Sequence, residues 1–153
     1  MRKANYDKFP STKLTGMLVQ GWDSIISMLK KKMDARKVLA VDLYTGVYEE
    51  EVLDAFSKEF SGRVMNVRDL MKPEKEIQTL TERFMTEDVL FGYVTNLKLE
   101  DYLDADKVAA ARKQISEAKD AIVIIGTGAS VVAPQDAMVV YADMARWEIQ
   151  QRF

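Results

Sequence analysis

Apolar residues recur along this chain in two alternating rhythms. Trp22, Ile25, Ile26, Leu29 and Met33 keep the i, i+3, i+4, i+7 spacing of one helix face, which predicts a helix packed on a sheet. "VLAVDLY" at 38–44 is short, apolar and rich in β-formers, and predicts a strand buried on both faces. Val52, Leu53, Phe56 and Phe60 make a second helical stripe, which Gly62 is expected to end from the C′ position. "RVMNVRDL" at 63–70 predicts another strand, and Pro73 with Glu74 and Glu76 opens a helix whose apolar face is Ile77, Leu80 and Phe84. Residues 87–106 carry the weakest pattern and read as a short strand followed by an irregular crossing. Asp104 or Asp106 then caps a helix to about Ala118, with Val108, Ala111, Arg112 and Ile115 along one side. "AIVIIG" at 121–126 is the clearest strand; 126–136 reads as a loop, 137–143 as a strand and 144–153 as a helix.

Strands alternating with helices at this spacing predict an α/β fold in three layers, α/β/α, around a mainly parallel sheet. The expected organisation is a single domain over 1–153, with 1–13 as an irregular N-terminal arm. The chain ends within an amphipathic helix, "WEIQQRF", without a cap or breaker, so it reads as a piece excised from a longer protein.

Composition narrows the chemistry. A formal charge of −2 with interspersed signs offers no basic face for a phosphate backbone, which argues against nucleic acid as a partner. The one basic run, Lys30 to Lys32, falls at a predicted helix end, where it complements the dipole. There is no cysteine and no histidine, so disulfides, thiolate or imidazole catalysis and the usual zinc cages have no ligands in this chain. No apolar run approaches the roughly 20 residues that span a bilayer, and the start lacks a signal-peptide core. A cytoplasmic location without membrane attachment is the expectation.

In a doubly wound sheet, ligands collect outside the carboxyl ends of the strands. The first such end lies in "KVLAVDLYTGVYEEEVLDAF", residues 37–56, which has the strand, turn and helix of a phosphate-binding loop. A working loop needs a glycine-rich turn, a lysine for the β and γ phosphates and a hydroxyl for magnesium. Here there is one glycine and no lysine, and Glu49, Glu50 and Glu51 occupy the helix start. Three carboxylates there satisfy the helix terminus and repel a triphosphate. Two readings follow: an acid-capped structural turn, or a modified ligand site involving Tyr44, Thr45 and Gly46. "GTGAS" after the 121–126 strand supplies Gly126, Thr127 and Gly128, read either as a tight turn or as a second ligand loop. Asp42, Asp69 and Asp143 all fall at strand ends and are the candidates for a magnesium ligand or general base, with helix capping as the alternative. Arg68 and Arg146 could pair with these acids or with an anion, and simple salt bridges are the expectation.

The order of strand, degenerate loop, helix, "VMNVRDL", long excursion, "AIVIIGTGA" and "DAMVVYADMARWEIQQR" resembles the uridine kinase-like branch of the P-loop fold. That resemblance implies a P-loop NTPase-like fold with a degenerate phosphate loop. Ile125 stands where the branch carries an acid, and the loop lysine is missing; both departures argue against phosphoryl transfer. More narrowly, "YDKFP", "VDLYTGVYEEEV" and "VVYADMARWEIQQRF" look like the N-terminal region of mannose-6-phosphate isomerase-like proteins of Bacteroides-type bacteria. There, a kinase-like domain precedes a cupin.

This second resemblance implies that isomerisation, and zinc, belong to a cupin outside this chain, with no cofactor or metal in this segment. The segment would be a catalytically silent accessory domain that binds a sugar phosphate or nucleotide, or that packs on its cupin or on a second subunit in a homodimer. The alternatives are an active small-molecule or nucleoside kinase with a non-standard loop, and a purely structural interaction module.

Overall fold

A computed structural model describes residues 10–13, 15–33 and 36–152. Most of the expected arm and the last residue, Phe153, lie outside the described residues; within 10–13 there is no regular structure. Four strands, β1 (Val38–Leu43), β2 (Arg63–Asn66), β3 (Ile122–Gly126) and β4 (Met138–Ala142), form one parallel sheet in the order β2-β3-β1-β4. Among the described residues six α-helices accompany them: α1 (Trp22–Met33), α2 (Glu49–Glu59), α3 (Glu74–Glu82), α4 (Ala105–Glu117), α5 (Ala129–Val132) and α6 (Arg146–Arg152). The chain is thus α/β, as its periodicities predict.

Alternation along β1 builds the two cores. Leu39, Val41 and Leu43 point to one face, where they pack with Ile26, Leu29 and Met33 of α1 and Val52, Ala55 and Phe56 of α2. Val38 and Ala40 point to the other, against Val108, Ala111 and Ile115 of α4 and Ala129 and Val132 of α5. With every β1 residue buried, the strand reads as an apolar run interrupted only by Asp42. Lys30 donates to the Glu59 carbonyl at the end of α2, so the basic run also ties α1 to α2.

Three expectations are corrected. The 63–70 strand stops at Asn66, because the Asn66 side chain accepts the Arg68 N–H (2.8 Å) and draws 67–70 into a 3-10 helix. The 87–106 segment contains no strand; Leu99–Tyr102 is a 3-10 turn, and Met71 bridges Leu103 in antiparallel sense. Gly62 is not the C′ residue of α2, which ends at Glu59 with Phe60 as its cap. A Cβ at Gly62 would lie 2.3 Å from the Ala121 carbonyl oxygen, so the residue is required by close approach of two backbones.

Candidate functional site

The carboxyl ends of the strands gather four connections: the turn 44–48 after β1, the 3-10 helix after β2, the Thr127–Gly128 turn after β3, and residues 143–145 after β4. β1 and β3 are neighbours, with Asp42 opposite Gly126, so the first and third of these loops touch. Thr127 Oγ1 donates to the Leu43 carbonyl at 3.0 Å. The β3 end runs so close to the 3-10 helix that a Cβ at Gly126, whose φ is +137°, would lie 2.8 Å from Val67 Cβ. Gly128, also left-handed, caps a four-residue helix within what reads from sequence as continuous loop.

Asp42 faces this helix. Its Oδ1 accepts the Gly128 N–H (2.9 Å), and its Oδ2 accepts both the Ser130 N–H (3.0 Å) and the Ser130 hydroxyl. The carboxylate is buried and fully engaged as the cap of α5. Asp69 lies exposed in the 3-10 helix, and Asp143, also exposed, accepts the N–H of Met144 at 2.7 Å. The three acids therefore differ in environment, and only Asp42 is held by the fold. Among the described residues, no group of three or more acidic side chains is placed to hold a metal ion.

The turn after β1 is held from both sides. The Tyr44 ring meets Tyr141 edge to face, with centroids 6.4 Å apart. Arg152 of α6 donates to the Gly46 carbonyl at 2.7 Å and lies 3.9 Å from the centroid of the Tyr48 ring. Tyr48 occupies the cap position of α2 without a side-chain cap bond. Thr45 is exposed in the same turn. Across from the turn, Glu49 accepts a hydrogen bond from Asn66 Nδ2 (2.9 Å) and pairs with Arg68 Nε (3.3 Å), joining the α2 start to the end of β2. The Tyr141 phenol titrates above its ordinary value because of desolvation, followed by the charges of Asp143, Tyr44 and Asp42.

Between these loops lies a crevice of about 310 Å³. Val67, Met71, Leu99 and Leu103 give it apolar walls, while Glu49, Arg68, Tyr102 and Thr127 bring polar groups to it. Of the residues singled out from sequence as ligand contacts, Thr127 lines this space. Tyr44 and Gly46 instead belong to the clamp formed with Tyr141 and Arg152. The crevice residues Tyr102, Leu99 and Leu103 come from the segment with the weakest periodicity, and Arg152 reaches Gly46 from 106 positions away. No local sequence signal marks either contribution.

Geometry alone thus defines an α/β domain with a parallel sheet and a small crevice at its strand ends. The family described as "Domain of unknown function (DUF8485)" matches residues 21–153, and the chain belongs to that family. Neither curated proteins nor solved structures gave a match.

Proposed function

We propose that this chain is a kinase-shaped accessory domain that binds a small phosphorylated ligand, a sugar phosphate or mononucleotide, without transferring its phosphoryl group. The observation that carries this reading is the occupation of the groups that transfer would need. The start of α2, where a phosphate loop offers its hydroxyl, is filled by Glu49, itself bound by Asn66 and Arg68. Asp42, the acid at the end of the central strand, spends both oxygens on α5. A crevice persists beside them, with apolar walls for a ring and the largely exposed Arg68 for an anion. At about 310 Å³ it sits at the lower end of ligand-site volumes, roughly 300–1,000 Å³, which suits one sugar phosphate or mononucleotide better than a dinucleotide.

The wider assignment, an accessory domain of a mannose-6-phosphate isomerase-type protein whose zinc sits in a cupin, rests on the sequence resemblance. The exposed apolar side chains Met85, Val89, Leu90, Phe91, Tyr93 and Val94 supply a surface that such a cupin would cover.

A thermal-shift series with ATP, GTP, UTP, AMP, mannose 6-phosphate and fructose 6-phosphate, each with and without magnesium, tests the binding reading. A bound ligand at 100 times its Kd stabilises by about 2.7 kcal/mol, a rise in Tm of roughly 5–10 °C. The expected result is such a rise for a sugar phosphate or mononucleotide, independent of magnesium. A shift that appears only with Mg-ATP overturns it in favour of a kinase, and silence throughout overturns it in favour of a structural module.

A further inference from the structure

A second and larger cleft, about 680 Å³, lies at the opposite end of the sheet from the crevice. Val38 at the start of β1 and Ile115 near the end of α4 give it an apolar floor, and both are buried. Arg36 and Lys37, which lead into β1, share the lining with Arg112 of α4. Asp136 is the one carboxylate there, so three cations face one acid in a chain whose net charge is −2. Among the described residues none of the three cations forms an ion pair.

Arg112 is also fixed in place. Its Nη2 donates to the Val131 carbonyl at 2.8 Å and its Nε to that of Val132 at 3.5 Å, which caps the end of α5 and leaves Nη1 outside both bonds. A guanidinium already ordered by its own fold loses little freedom on gripping an anion. An apolar floor beneath such donors lowers the local dielectric and strengthens their attraction for charge.

We propose that this amino-end cleft is a second ligand site, taking a small organic anion whose apolar body lies on Val38 and Ile115 and whose charged head meets Arg36, Lys37 and Arg112. The volume falls within the range of small-molecule sites, and the charge complement selects the sign of the ligand.

Backbone amide NMR of the full chain titrated with 2-naphthoate tests the site, with neutral 2-naphthol as the matched control. Saturable shifts are expected at Lys37, Ala133 and Asp136, with Kd of about 1 mM or tighter and naphthoate favoured over naphthol by roughly tenfold. The Arg36→Glu, Lys37→Glu double variant changes exposed side chains and leaves the structural Arg112 intact. Its amide spectrum reports that it is folded, and it is expected to weaken naphthoate by roughly tenfold while leaving naphthol unchanged. Absence of saturable shifts up to about 10 mM, equal affinity for naphthol, or shifts confined to Tyr102 and Thr127 would each overturn the proposal.

Discussion

Replacing Asp42 separates a structural acid from a catalytic one, because only the structural role predicts a loss of stability. Asp42→Ala removes the acceptor for the Gly128 N–H, the Ser130 N–H and the Ser130 hydroxyl. The Gly128 bond is buried and the Ser130 bonds half-buried. An orphaned buried donor costs about 1–3 kcal/mol, so roughly 2 kcal/mol falls to Gly128 and about 1 to the Ser130 N–H, with little from a hydroxyl that can turn to water. The expected loss is about 3 kcal/mol out of a typical total of 5–15. Ala129 and Val132, fully buried on α5, would loosen with it.

Urea unfolding followed by circular dichroism and tryptophan fluorescence reads this directly. With a slope of about 2 kcal/mol per molar urea, the midpoint should fall by roughly 1.5 M at constant slope. Asp143→Ala, an exposed acid with a local bond, should move stability by less than about 0.5 kcal/mol. An acid kept for chemistry is commonly a burden on stability, so its removal leaves stability unchanged or raises it. A variant at position 42 as stable as the parent would refute the capping role and return Asp42 to the list of reactive groups.

Arg152→Ala removes the bond to Gly46 and the contact with Tyr48, and should cost about 1–2 kcal/mol; faster chymotryptic cleavage at Tyr44 and Tyr48 would check it, and unchanged cleavage would count against the clamp. Gly126→Ala combines a left-handed φ with a 2.8 Å approach to Val67 and is expected to destabilise by about 2–4 kcal/mol in the same urea assay. Glu49→Lys should not confer Mg-ATP binding, because the turn keeps a single glycine and the new ammonium would face Arg68; a measurable thermal shift with Mg-ATP would contradict this. Tyr141 has a raised pKa in the folded state, so its contribution to stability is complete below the ordinary value near 10 and declines as pH rises beyond it. Ultraviolet titration should show one phenol ionising late, and Tyr141→Phe should abolish that component.

The two helical stripes and the buried strands were legible because each buries one continuous face: Ile26, Leu29 and Met33 in α1, Val52 and Phe56 in α2, and all of β1 and β3 lie in the core. What escaped was set by side chains bonding to backbone. Asn66 captures the Arg68 N–H and ends β2 four residues before the apolar pattern does. Asp42 plays the same part for α5, drawing "ASVV" at 129–132 from expected loop into helix through bonds spanning 86 and 88 positions. Residues 87–98 have no periodicity to read, since Val89, Leu90 and Val94 are apolar yet exposed.

That distinction bears on the strand, turn and helix at 37–56 as well. A strand, turn and helix at the centre of a parallel sheet form because β1 must be buried on both faces and α2 must cover one of them, and neither requirement involves a ligand. The frame therefore forms without any need for phosphate chemistry. What the frame cannot do is leave its polar groups idle. Glu49 is tied to Asn66 and Arg68, Asp42 to α5, and the Gly46 carbonyl to Arg152. Glu49 and Asp42 stand where a working phosphate loop would offer a hydroxyl and a free strand-end acid, and both are already committed to bonds within the fold. At about 1.5–3 kcal/mol apiece for hydrogen bonds to charged groups, breaking three of them would cost about 4.5–9 kcal/mol, comparable to the roughly 8 kcal/mol that accompanies micromolar binding. On the proposed reading, a ligand of this edge would leave these bonds in place and enter the crevice beside them.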